Sequence, residues 1–458
     1  MTTTANALRR WVFLSLLLVL LGLSLTWSIE AEARERRFIR DAEIETIIRD
    51  FATPLFQAAG LNPKSVDVFL IDDPTLNAFV SGGQNLFLHT GFLMATEDPL
   101  EVIGVLAHET GHIAGGHIAS TIGKFKESSA QVIASYVLGL GAAIATGQPG
   151  LGSAIIIGGQ DLALKGLLSY TRGQEQAADQ AAIRLLEATE QSPRGLLSFL
   201  RVLGGQEIFL ATSQDPYLRT HPLTRERISF LEEQLRRSPY ADAPVRPDFL
   251  RLHSRMRAKL VGFLEPQGRV LQAYPESDSS ADARYARAIM YYRRPQLDRA
   301  LMLIDGLIAE QPRDAYYHEL RGQILFENGR LAEALPSYET AVGLRPEEAQ
   351  LNLALARVEI ESNDARLTDR AEAHLKTVLR HEPENASAWR LLAIVHGRRG
   401  ETGLTALALA EAALARRDLA EAQIQARRAQ EILPEGSPGW LRAQDLETHA
   451  GQLRQRRG

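Results

Sequence analysis

His108-Glu109-Thr110-Gly111-His112 is the stretch whose reading decides the rest of this chain. Two histidines four residues apart on an α-helix lie about 40° apart around its axis, so both imidazoles leave the same face. That geometry suits two nitrogen ligands of one tetrahedral Zn²⁺, at metal–nitrogen distances near ~2.1 Å. Glu109 follows the first histidine by one position. It is therefore set beside the metal rather than on it, where it can take a proton from a water activated there. The run Pro99-Leu100-Glu101-Val102-Ile103-Gly104-Val105-Leu106-Ala107 ahead of the motif is apolar and helix-compatible, and Ala114, Gly115 and Gly116 keep the following turns slim. A buried helix is expected.

The pattern H-E-x-x-H is that of metalloproteases, and it calls for a third ligand. Around Arg172-Gly173-Gln174-Glu175-Gln176-Ala177-Ala178-Asp179, Glu175 and Asp179 are four residues apart and share a helix face. One carboxylate can complete the zinc triad while the other takes the free N–H of a ligating histidine. Without the upstream motif the two would read as solvated acids. His117 is a rival ligand, but the metzincin spacing wants histidine at 118, where this chain has Ile118. On a continued helix His117 misses that register by about 100°, so it reads as a structural or surface histidine. Further on, Thr220-His221-Pro222-Leu223-Thr224-Arg225-Glu226-Arg227 places Pro222 at a helix start with His221 in the preceding loop.

The chain has 458 residues, long enough for two or three domains, and contains no cysteine. Disulfides and a thiol nucleophile are thereby excluded, leaving His, Asp and Glu as metal ligands. A net charge of −5 gives no positive field for nucleic acid. Residues 1–33 read as a cleavable signal peptide: Arg9 and Arg10, an apolar run from Trp11 to Leu25, and Ala31-Glu32-Ala33 as the cleavage site. Trp11 to Ile29 approaches the ~20 residues that span a bilayer, so an inner-membrane anchor is the alternative. Either way the remainder is expected outside the cytoplasm.

Residues 34–265 are expected to form the catalytic domain. Asp41 to Ala59 has helical spacing, and three strands follow at Val66–Ile71, Asn77–Val80 and Asn85–Leu88. They are expected to make a small antiparallel sheet. An edge strand carrying Asn77, Ala78 and Phe79 could pair with an extended peptide, or could be ordinary scaffold. The apolar segments Val132–Thr146 and Leu151–Gly158 are each too short to span a bilayer. They read as buried helices, or else as a lid or a peripheral membrane contact over 130–159.

Residues 266–281 read as a linker rich in Pro, Ser, Asp and Gly. From 282 to 435 the composition turns to Ala, Leu, Arg and Glu with helical period. Pro312 and Pro346 are 34 residues apart, the tetratricopeptide period, with Gly322, Gly329, Ala334, Tyr338 and Ala341 at the small and aromatic positions between them. Thr368-Asp369-Arg370 reads as a short insertion before Pro383, and Ala422, Ala429 and Pro434 as a last copy. Residues 436–458 are left as a helical tail. Stacked repeats of this kind make a superhelix with a concave binding surface.

His108-Glu109-Thr110-Gly111-His112 with the downstream Glu175-x-x-x-Asp179 resembles the gluzincin metalloproteases. With the Asn77-Ala78-Phe79 strand, the His221-Pro222 loop, the export signal and the repeats, the chain resembles the periplasmic β-barrel assembly-enhancing proteases. The resemblance implies a mainly α protein: a zincin-type α+β metalloprotease domain followed by an α-helical tetratricopeptide-repeat solenoid. It implies one Zn²⁺ per chain on His108, His112 and Glu175, with Glu109 as base and His221 able to take the fourth zinc position. It matches Arg227 to an arginine of the wider family, where Arg227 or His221 could stabilise the oxyanion, and it leaves Asp179 to orient His108. It further implies a periplasmic location, unfolded or misassembled outer-membrane proteins as substrates, and docking of the repeats on the barrel-assembly machinery.

Overall fold

The computed structural model describes residues 37–117, 172–209, 217 and 221–455. The expected signal peptide at 1–33 and the apolar insert at 130–159 lie outside the described residues. Four strands form one sheet: β1 (Arg37–Ile39), β2 (Asp67–Asp72), β3 (Ala78–Ser81) and β4 (Asn85–His89), in the order β1-β2-β4-β3. The sheet is mixed, not antiparallel as expected. β3 and β4 form a hairpin through Gly82 and Gly83, both at positive φ, but β4 enters the gap between β2 and β3 and so runs parallel to β2. The segment from Asp73 to Asn77 makes this possible by carrying the chain past the vacant position. β1 pairs antiparallel on the other side of β2. It is too short for its alternation to be visible in sequence.

Helix α1 (Ala42–Ala58) is capped by the Asp41 carboxylate, which accepts from the Ile44 N–H at 2.9 Å. Its face of Ile44, Ile47, Ile48, Phe51 and Leu55 is buried in one core with Val68 and Leu70 of β2 and Leu86 and Leu88 of β4. α2 (Thr90–Ala95) leads into α3 (Pro99–Ala114), which adds Val102, Ile103 and Leu106 to that core. α3 starts as the sequence demands, with Pro99 in its first turn and the Asp98 carboxylate accepting from Leu100 N–H at 2.8 Å. α4 (Arg172–Ala188) packs along α3, and α5 (Arg194–Phe209), α6 (Arg225–Arg237) and α7 (Pro247–Leu264) complete this half of the molecule.

The stretch expected as a linker contains α8 (Gln267–Ala273), whose Val270 is buried. Five helix pairs follow: α9 (Ala281–Tyr292) with α10 (Leu297–Glu310), α11 (Ala315–Glu327) with α12 (Leu331–Leu344), α13 (Ala349–Glu361) with α14 (Ala365–His381), α15 (Ala386–Arg398) with α16 (Thr402–Ala415), and α17 (Leu419–Ile432) with α18 (Pro438–Gln455). The small residues of the repeat have a visible cause: a Cβ on Gly322 would sit 2.8 Å from the Tyr338 ring, so glycine lets α11 and α12 close on each other. Thr368-Asp369-Arg370 makes no loop. It lies within α14, which has 17 residues where α12 has 14. The expected tail is helix α18, whose Leu446 is buried against Ala426 of α17.

The two halves meet through buried charge. Lys259 of α7 reaches Asp41 (2.8 Å) and Glu43 (3.1 Å) at the start of α1, and Glu319 of α11 (3.6 Å). Arg255, one turn earlier, pairs with Glu43 and with Asp314 ahead of α11. The Tyr285 hydroxyl donates to Glu43 at 2.7 Å. Burial pushes the Glu319 carboxyl up to about 7, against the pull of Lys259. Lys259→Met keeps the apolar stem and removes the cation, leaving several carboxylates uncompensated. It is expected to lower stability by about 3–5 kcal/mol, read by urea denaturation. A loss below ~1 kcal/mol would mean that the junction does not depend on this cation.

Candidate metal centre

α3 carries its histidines into the core. A Cβ on Gly111 would lie 2.9 Å from the Ala178 carbonyl oxygen, so the bare glycine lets α4 approach α3 at this point. The approach brings Glu175 and Asp179, one turn apart on α4, up to the two histidines of α3. His108, His112, Glu175 and His221 each offer one ligand atom, all within 4.8 Å of one another, and all four side chains are fully buried.

The distances define a convergent set. His108 Nε2 and His112 Nε2 are 3.1 Å apart. Glu175 Oε2 is 3.5 Å from His108 Nε2, and its Oε1 is 3.3 Å from His112 Nε2. His221 Nδ1 lies 3.1 Å from Glu175 Oε1, and its Nε2 lies 3.5 Å from Glu109 Oε1. On its outer side the His108 ring presents Nδ1 to Asp179 at 2.9 Å, which fixes the tautomer with the Nε2 lone pair facing inward. Three imidazoles and a carboxylate gathered inside an apolar core suit a divalent cation of the zinc type. Glu109 adds a second sign of fit. Both its oxygens are buried and have no hydrogen-bond partner among the described residues, as expected of a group meant to face a water.

Charge follows position. Burial raises the Glu175 carboxyl, but His221, His108 and His112 outweigh it and hold the group well below the usual carboxylate range. Burial lowers His108, yet hydrogen bonds to Asp179 and Glu175 raise it to about 9. His112 is held well below its ordinary value, chiefly by burial. Burial also pushes the Glu109 carboxyl up, against the pull of His221 and His108.

Arg227 lies beside the cluster, on the carboxylates of α4. Its Nε and Nη2 donate to Asp179 at 2.7 and 2.9 Å, and its Nη1 lies 2.7 Å from Glu175 Oε2 and donates to the Pro222 carbonyl at 3.1 Å. The guanidinium is thus committed to holding both carboxylates of α4 and the turn after His221. α6, on which Arg227 lies, begins at Arg225 behind a Thr224 cap rather than at Pro222, because the Thr224 hydroxyl accepts from Arg227 N–H at 3.3 Å. Asn77, Ala78 and Phe79 are not part of the cluster. Ala78 and Phe79 belong to β3, which lies against α3, and Phe79 stacks on Phe87 at 5.0 Å.

Two neighbours of the cluster stand where the sequence did not place them. Tyr217 stacks on the His221 ring, with centroids 4.6 Å apart and planes 27° apart, and its carbonyl accepts from His221 N–H at 2.7 Å. Its place four residues before His221 is the one signal that could have found it. His117 is the other: its Nδ1 lies 3.0 Å from His112 Nδ1.

The chain is similar to known proteins in both of its halves. Residues 39–235 match the model of Peptidase family M48, and residues 307–412 match that of the cytochrome c-type biogenesis protein H TPR domain. A beta-barrel assembly-enhancing protease of Yersinia pestis is 26% identical over 346 residues, covering 71% of this chain and 66% of that protein. The protein of the same name from Escherichia coli (strain K12) is 26% identical over 331 residues, covering 69% and 66%. The chain therefore spans slightly under two thirds of the length of these relatives.

Proposed function

We propose that this chain, an M48-type peptidase domain followed by tetratricopeptide repeats, is a zinc-dependent endopeptidase of exported proteins. In this reading it acts on unfolded or misassembled outer-membrane β-barrel proteins in the periplasm. The observation that carries the proposal is the Glu109 carboxylate, buried and free of hydrogen bonds among the described residues, beside the convergent set His108, His112, Glu175 and His221. His108, His112 and Glu175 would hold one Zn²⁺, which when bound supplies Lewis-acid polarisation of a carbonyl and of a water. Glu109 accepts the proton of the attacking water and later delivers it to the leaving amine. Asp179 keeps His108 in the ligating tautomer, and Arg227 keeps Asp179 and Glu175 in place. Arg227, or His221 if it left the cluster, could serve the oxyanion.

The relatives' names supply the substrate class, and the repeats supply a binding surface for it or for the barrel-assembly machinery. Asn77, Ala78 and Phe79 lie at the sheet edge where an extended peptide could add as a strand. Export would use residues 1–33, either cleaved or kept as an inner-membrane anchor. Among the described residues no helix is long and apolar enough to cross a membrane. One observation favours a second reading. His221 gives the site four protein ligand groups, the number of a closed structural zinc, so the chain could serve assembly mainly as a scaffold with latent proteolysis.

The test is cleavage of an unfolded outer-membrane barrel protein by the purified chain, before and after chelation. One zinc per chain, loss of cleavage on chelation and its return with zinc are expected. Cleavage indifferent to the chelator would overturn the proposal.

A further inference from the structure

α3 ends at Ala114 with Gly115 as its cap, and Gly116 takes φ +61, a left-handed conformation in which only glycine is at ease. The chain therefore does not continue the helix past the motif. It doubles back and lays the His117 ring beside His112, with centroids 5.0 Å apart and planes 77° apart. His117 Nδ1 then stands 3.0 Å from His112 Nδ1, on the side of His112 opposite the metal cluster. The first residues of α4 secure the turn, because the Gln174 side-chain amide donates to the His117 carbonyl at 3.2 Å. The ring itself rests over Gly115, where a Cβ would come within 2.6 Å of His117 Nε2.

We propose that His117 is a positioning residue for the metal ligand His112: it accepts the His112 Nδ1 proton and so holds the His112 Nε2 lone pair on the cluster. A neutral imidazole carries one proton, and which nitrogen bears it is set by the bond the other nitrogen makes. His108 has a carboxylate, Asp179, for this task. On the Nδ1 side of His112 stands the imidazole of His117. For the same reason His117 bears its own proton on Nε2, over Gly115. The two motif histidines are thus held by different chemistry, an anion behind one and a neutral acceptor behind the other.

This inference rests on the site being a zinc site, and its test separates the two. Zinc affinity of the full chain is measured by competition with a chromogenic chelator, for the parent, His117→Ala, His117→Asn and Gly115→Ala. Loss of a group that orients a ligand typically weakens metal binding by about 10–100-fold. His117→Ala is expected to lose affinity by that factor, and His117→Asn, which offers a carbonyl acceptor, to recover much of it. Gly115→Ala keeps the imidazole but displaces it, at a backbone φ of −75 that alanine accepts, and is expected to lose affinity like His117→Ala. Melting of the metal-free chain is followed in parallel, and Gly115→Ala decides the matter if His117→Ala destabilises the fold. A parent that binds no zinc overturns the proposed function. A parent that binds zinc, with Gly115→Ala binding it equally well, overturns the role of His117 alone.

Discussion

Glu109→Gln is expected to leave zinc bound at one per chain and to lower cleavage of an unfolded protein by about 10²–10⁴-fold, the usual contribution of a positioned general base. The amide preserves the shape of the side chain in its fully buried place but cannot accept the proton of the attacking water. The three proposed metal ligands are untouched, so metal content by mass spectrometry should equal that of the parent. Residual cleavage within a few-fold of the parent would remove Glu109 from the role of base. The same variant separates the two readings of the chain in cells. If Glu109→Gln still supports assembly of an outer-membrane barrel in place of the parent, the scaffold role dominates. If assembly fails with cleavage, proteolysis is the working activity.

His221→Ala is expected to raise cleavage by on the order of tenfold or more, because a cap favoured by only ~1.4 kcal/mol already keeps most sites closed. His221 lies within the same 4.8 Å cluster as the other three groups, and its ring is held by the Tyr217 stack and by its own N–H on the Tyr217 carbonyl. In the proposed zinc site His221 would be a fourth protein ligand, in the position that a catalytic zinc keeps open. Removing it should also speed zinc release to a chelator, a reading that does not depend on turnover. Cleavage slowed in His221→Ala would instead make this histidine a donor to the transition state, and the site would then be open without it.

The metal site was largely legible in the sequence because its parts are local. His108, Glu109 and His112 lie within one helical turn, and Glu175 and Asp179 within another, so spacing alone puts each group on one face. The repeats were legible for a similar reason, since Pro312 and Pro346 recur at the repeat period and Gly322 meets Tyr338 on the next helix. Non-local arrangement was not legible. The parallel pairing of β2 with β4 depends on which strand fills a gap, and no residue of either strand encodes it. Arg227 lies 48 residues from Asp179, and only the fold shows that its guanidinium is taken up there. His117 lies outside the four-residue cluster, but its place beside His112 was not legible. Its dismissal rested on a helical register continued from His112, whereas Gly115 and Gly116 end that helix three residues after the motif and turn the ring back.

Tandem repeats are readily exchanged between proteins as independent cassettes, since each unit needs only its neighbours. The junction here restricts such exchange. Asp41 and Glu43 at the start of α1 share Lys259, and through it Glu319, with the first repeats, while the rest of α1 packs under α3. A foreign array grafted after α8 would leave Arg255 without its Asp314 partner and place an unmatched surface against α1. Arg40, just ahead of α1, also reaches Glu382 after α14 at 2.6 Å, so the lineage could vary freely only the repeats beyond α14 while α9 to α14 co-evolve with the half that carries the cluster, and sequence drift along the array should rise beyond Glu382.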